Sequence, residues 1–147
     1  MPRLTYPFIR FEYADGRTEP RGHTRLPVQV TNPKTGLSAL VWGLVDTGAD
    51  SSLFPADLAT ALGHNLKGHG VRSSVTCGIE QSSVAVYKHT FRLDLLSSDT
   101  KRVVWSSPHM EIDCAPTNPP VLLGVENFLR HFVLTVDYKA EKIRLAW

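Results

Sequence analysis

Residues 37–55, LSALVWGLVDTGADSSLFP, decide how the rest of this chain is read. Leu40 to Val45 is an apolar run interrupted only by Gly43, and it reads as a buried strand. The run stops abruptly at Asp46-Thr47-Gly48-Ala49-Asp50, which is small and polar. A carboxylate at the end of an apolar strand loses water on one side, which costs free energy unless partners or a task offset it. Thr47 adds a hydroxyl, and Gly48 adds a backbone without a side chain that a second peptide segment can approach closely. A given tripeptide turns up by chance in roughly 2% of chains this long. The weight of Asp-Thr-Gly therefore comes from what surrounds it.

Immediately upstream, 26–31 (LPVQVT) reads as a strand and Asn32-Pro33-Lys34-Thr35-Gly36 as a turn, so 37–45 returns antiparallel. Asp46 then sits at the end of a hairpin arm, held on a rigid element as a catalytic group should be. Residues 7–13 (PFIRFEY) alternate apolar and polar and predict a half-buried first strand, followed by a turn at Ala14-Asp15-Gly16-Arg17. Residues 1–25 are expected to form an N-terminal extension of unassigned role ahead of a domain spanning 26–147.

Downstream, Pro55 to Leu62 predicts a short helix, with proline in the first turn, Leu58 and Leu62 on one face and Gly63 as the cap. Residues 63–70 form a glycine-bearing loop. Strands follow at 71–79 and 83–96, joined through Cys77-Gly78-Ile79-Glu80-Gln81, then at 102–105 and 109–114. After Ala115–Pro120 and Val121-Leu122-Leu123-Gly124, residues 125–132 predict a second helix with Phe128, Leu129 and Phe132 on one stripe. A strand pair, 133–138 and 142–147, closes the chain. The sum is an all-β, barrel-like domain with two short helices.

At 147 residues the chain is one domain with room for a core. A net charge of +2 is too small to argue for nucleic acid or a membrane surface. The longest apolar run, 37–45, is about half a membrane span, and Arg3 is not followed by the apolar stretch of a signal peptide. A cytoplasmic location is expected. Cys77 and Cys114 show no metal or redox spacing and are expected as buried or partly buried free thiols. The six histidines are scattered, and His64 and His69 are five apart, off the i, i+4 spacing of a helical zinc site. No metal and no cofactor is expected. The pairs Ser51-Ser52, Ser82-Ser83 and Ser106-Ser107 lack a nucleophile-elbow pattern and read as solvated. Trp42, Trp105 and Trp147 read as core or dimer contacts.

Asp46-Thr47-Gly48-Ala49, followed far downstream by Leu122-Leu123-Gly124 and a helix, resembles the retropepsin-like aspartic proteases. The order of parts also matches from residue 26 onward: hairpin, DTGA, glycine-bearing hairpin, apolar-apolar-Gly, helix, terminal strands. The helix in SSLFPADLATALG looks more like the bacterial and cellular branch than the viral one. The resemblance implies a closed barrel-like aspartic protease half-domain. Only one Asp-Thr-Gly is present, since Asp99-Thr100-Lys101 lacks the glycine. The two carboxylates that such chemistry needs must then come from two copies in a homodimer.

That resemblance also assigns roles. Asp46 is the acid/base, Thr47 holds the paired loops together, and Gly48 lets the peptide or protein substrate approach. Ala49, Asp50 and Leu123 are expected at the substrate, under a flap through Gly78 and Ile79. Retroviral members often place an arginine after the second glycine. Here Val125 stands there, which leaves Arg130 as the candidate partner of Asp50. The competing reading is a non-catalytic peptide-binding or dimerisation module on the same fold.

Overall fold

The computed structural model describes residues 1–77 and 82–147. Its strands are β1 (Arg3–Pro7), β2 (Arg25–Thr31), β3 (Ser38–Val45), β4 (Leu53–Pro55), β5 (Ser73–Cys77), β6 (Ser83–Leu96), β7 (Val103–Ser106), β8 (Met110–Ala115), β9 (Leu122–Leu123), β10 (Val133–Asp137) and β11 (Lys142–Ala146). The all-β expectation holds. Among the described residues helical structure amounts to α1 (Ala56–Ala61) and a 3-10 turn, Leu129–His131.

The larger sheet runs β2-β3-β9-β4-β8-β6-β5, and β2 also pairs β6, so the strands from β2 to β6 close a ring. Alternation sets what fills it. Leu26, Val28 and Val30 of β2 and Phe91, Leu93 and Leu95 of β6 are each fully buried. They meet Phe54, Ile112, Leu123 and Phe128 in one cluster. Each such side chain contributes about 1.5–3 kcal/mol on leaving water, and this core fixes the strands that carry the site.

β1, β11 and β10 form a second, three-stranded antiparallel sheet. Residues 1–25, expected as an extension, supply β1, and its Tyr6 belongs to the same core cluster. The Tyr6 hydroxyl donates to the Leu96 carbonyl at 2.7 Å, and burial pushes the phenol pKa up. The strand expected over 7–13 forms instead at Arg3–Pro7, and residues 8–24 make only single bridges, Ile9 with His23 and Glu12 with Thr18. Side chains hold that segment instead. Arg25 stacks 3.7 Å from the centroid of the Phe11 ring, pairs with both carboxylate oxygens of Glu19 and donates to the Ile9 carbonyl.

Helix α1 forms where the sequence places it. Its end is sealed by the β2–β3 turn, because Asn32 Nδ2 and Thr35 Oγ1 both donate to the Leu62 carbonyl, at 2.9 and 2.8 Å. Gly63 comes next with φ +92, the left-handed cap position. The helix expected over 125–132 shrinks to turns and the 3-10 turn. Leu129 and Arg130 donate five residues back, to Gly124 and Val125, and Phe128 leaves helical geometry at φ −131.

Candidate active site

Asp46 lies directly after β3, and its position is fixed from below by β9. The two strands run parallel, with Leu44 opposite Leu122 and Val45 opposite Leu123. The Leu44 amide donates to Val121 at 2.8 Å and the Asp46 amide to Leu123 at 3.1 Å. Leu123 lies against Gly43, where an added Cβ would sit 2.6 Å from the leucine Cγ. The glycine that interrupts the apolar run is thus the notch that lets β9 pack beneath the loop.

The loop curls back on its own carboxylate. Gly48 N–H donates to Asp46 Oδ1 at 3.0 Å, and the Ala49 amide to the Asp46 carbonyl at 3.3 Å. The segment after Leu123 then crosses against it, with Val125 and Glu126 amides donating to the Ala49 and Asp50 carbonyls at 2.9 and 2.8 Å. At the crossing, a Cβ on Gly124 would lie 2.4 Å from the Ser51 carbonyl carbon and 2.7 Å from the Ser52 nitrogen. Gly48 differs. Among the described residues a Cβ there would meet only Asp46 Oδ1, at an ordinary 3.4 Å, so their packing does not require glycine at that point.

Two side chains to which the sequence reading gave no structural role hold the crossing together. Ser52, expected to be solvated, is fully buried, and its hydroxyl accepts the Gly124 amide at 2.9 Å. Asn127 accepts the Ser52 amide through Oδ1 at 2.7 Å and donates from Nδ2 to the Glu111 carbonyl at 3.0 Å. It thereby ties the aspartate loop, the crossing segment and β8 to one another. The signal available in the sequence was slight: an amide side chain next to Phe128 and Leu129 in an apolar stretch. Ser107 is also buried, its hydroxyl accepting the Leu93 amide at 2.9 Å.

Above the loop lies a cleft of about 980 Å³, floored by Asp46, Gly48, Ala49 and Asp50 and walled by β5, β6 and β8 residues. Asp46 is half-buried, while Thr47 and Gly48 are exposed. Among the described residues no group of three or more His, Cys, Asp or Glu side chains could hold a metal ion.

No protein-family model and no curated protein sequence matches the chain. Solved structures do match. A retropepsin-like aspartic protease from Rickettsia conorii superposes with a TM-score of 0.59, over 99% of this chain and 99% of its own, at 13% identity. The chain has the retropepsin-like aspartic protease fold. EIAV protease with a bound inhibitor aligns over 72% of this chain and 85% of its own, at 15% identity and a TM-score of 0.41. The retroviral protease-like domain of Ddi1 from Leishmania major aligns over 79% and 83%, at 16% identity and 0.42. These two overlap too loosely to carry argument.

Within the retropepsin-like fold, the expected site residues fall in different places. Asp46, Gly48, Ala49 and Asp50 share the cleft floor, with Thr47 exposed beside them. Leu123 is fully buried behind the loop, and its neighbour Leu122 faces the cleft instead. A parallel pairing with β3 turns alternate side chains inward, so the position expected to touch substrate supports the loop. Arg130 pairs with Glu126 at 3.2 Å and not with Asp50. Gly78 and Ile79 lie outside the described residues. Their neighbour Cys77, expected to be at least partly buried, is exposed on the cleft wall. Cys114 is buried, which pushes its thiol pKa up to about 12.

Proposed function

We propose that this chain is an aspartic endopeptidase that works as a homodimer on peptide or protein substrates. The observation that carries the reading is Asp46. Its backbone amide donates to the Leu123 carbonyl beneath it and its carboxylate accepts the Gly48 amide beside it, at the floor of a peptide-sized cleft. In the dimer, Asp46 and its symmetry mate flank one water and share one proton. The ionised carboxylate takes a proton from the water as its oxygen attacks the scissile carbonyl carbon, and the protonated one hydrogen-bonds the carbonyl oxygen. The tetrahedral intermediate collapses as the leaving nitrogen gains a proton.

The other loop residues take roles around that step. Thr47 bridges to the partner loop. Gly48, under no packing demand from the described residues, leaves room for substrate backbone. Ala49 admits a substrate side chain and Asp50 binds substrate main chain, with Gly78 and Ile79 in the flap that closes over it. A cytoplasmic location belongs to the same proposal. Asp46→Asn keeps the shape and removes the shared-proton chemistry, so hydrolysis of an unfolded protein should vanish while circular dichroism is unchanged. Wild-type cleavage by Asp46→Asn would refute the assignment.

A further inference from the structure

One wall of the cleft carries an ion pair that water activation does not use. Lys88 on β6 and Asp113 on β8 stand directly opposite in the antiparallel register, and both line the cleft with Asp46. Lys88 Nζ donates to Asp113 Oδ1 at 2.8 Å, with side chains 31% and 14% exposed. A pair this far out of water costs desolvation free energy that two neutral residues would not. Uncharged Val84, Ala115 and Pro119 line the same cleft. A second ion pair, Arg72 with Glu111, lies beside the Lys88–Asp113 pair, Arg72 accepting the Lys88 amide through its carbonyl and Glu111 standing two residues before Asp113 on β8. Lys88 is the one Lys or Arg among the described residues lining the cleft, and its charge is offset by Asp113. Asp113 is less fully engaged. A carboxylate offers about four lone-pair sites, and Lys88 holds only Oδ1.

We propose that the cleft selects basic peptides. A Lys or Arg side chain of the substrate docks on Asp113 through the oxygen that Lys88 leaves open, and Lys88 limits how strong that selection is. This rests on the peptidase reading and adds the substrate class to it. A cationic side chain gains a charge-assisted hydrogen bond there. It also enters a cleft whose Asp46, Asp50 and Asp113 outnumber its one cation. An acidic side chain meets the same carboxylates as repulsion, which supplies the discrimination.

The test uses peptides of one sequence carrying Arg, Gln or Glu at one position at a time on either side of the scissile bond. Wild type should favour Arg over Gln at one position by about five- to ten-fold in kcat/KM, and added salt should shrink the ratio. Asp113→Asn, which leaves Lys88 uncompensated, should erase the preference and turn it toward Glu. Lys88→Gln should strengthen it. Equal or better cleavage of the Glu peptides by wild type overturns the proposal, as does an Arg preference that Asp113→Asn leaves intact. If Asp113→Asn does not fold, the wild-type series and its salt dependence decide alone. If wild type cleaves none of the peptides, the peptidase reading has failed. Anisotropy titration of the same labelled peptides then decides the charge selection, with equal binding of the Arg and Glu forms counting against it.

Discussion

Gly124 has no room for a side chain, because the atoms its Cβ would strike are backbone atoms of Ser51 and Ser52. Backbone cannot rotate away as a long side chain can. Gly124→Ala should therefore cost about 2–3 kcal/mol in a denaturant titration, and peptide hydrolysis should fall further than the loss of folded protein explains, since the aspartate loop rides on this crossing. A variant as stable and active as wild type would show that the two segments do not touch. Ser52→Ala is a milder probe: it leaves the buried Gly124 amide without its acceptor, at a cost of about 1–3 kcal/mol. Asp46, Gly48 and Gly124 could be picked out of the sequence because acid after an apolar run, or glycine after Leu-Leu, is conspicuous by composition. Ser52 and Asn127 could not. Their roles are made by contacts between residues 72 and 75 positions apart, and a serine in a polar stretch reads the same whether it is solvated or buried.

Strands announce themselves by alternation or by an apolar run, which is why β2, β3, β6 and the terminal pair were legible, although β3, read as buried, has only Gly43 buried and Leu40 half exposed. Short elements fixed by tertiary demand were not. Residues 125–132 carry a helical stripe, yet Val125 and Glu126 give their amides to the aspartate loop and the turn widens around Phe128. β1 was missed because Arg3–Pro7 is a strand only by virtue of its register with β11. The loop after α1 holds a further feature that spacing alone did not suggest. His64 Nε2 lies 2.9 Å from the Thr90 carbonyl and His89 Nε2 2.9 Å from the Leu66 carbonyl, with the two rings 4.6 Å apart and the His64 ring edge-on to Phe91. Burial, and after it the neighbouring His89, hold the His64 pKa below its ordinary 6.5. The unfolded chain then binds a proton that the folded chain refuses, so this contribution is present above pH 6.5 and is lost as pH falls below it. Thermal melts should show the midpoint dropping through that window, and His64→Phe should flatten the slope. An identical slope in the variant would move the cause elsewhere.

In the proposed dimer the active unit is larger than the chain, because each chain carries one Asp46, so specific activity should fall on dilution in step with dimer dissociation seen by sedimentation. A monomer fully active at assay concentration would remove the mechanism with it. The terminal sheet is where we place part of the contact. Its middle strand β11 has both edges paired, whereas among the described residues nothing pairs the outer edges of β1 and β10, and Val133 on β10 is 61% exposed. Val133→Lys should therefore weaken the dimer without unfolding the chain. Pairing also sets the response to pH. The proposed dimer would set two carboxylates about 3 Å apart, which cannot both ionise cheaply, so the mechanism expects them to work as a unit whose singly protonated state is active. The rate should follow a bell with its maximum in mildly acidic solution and fall as the shared proton leaves. The acid side of that bell is not read from chemistry alone. Arg25, and after it the Phe11 amide, hold the Glu19 pKa down to about 2 against an ordinary 4.5, so the clamp on residues 8–25 is intact above 4.5 and fails as pH falls toward 2. The loss at His64 begins higher, near 6.5. The alkaline limb is free of both, since each group has its folded-state contribution in full there, and it is the limb that reports the dyad. A rate that keeps rising through pH 8 and dies on adding chelator would exclude an aspartic pair. A rate that falls on the alkaline side, ignores chelator and is blocked by a peptide with a hydroxyl in place of the scissile carbonyl would support it.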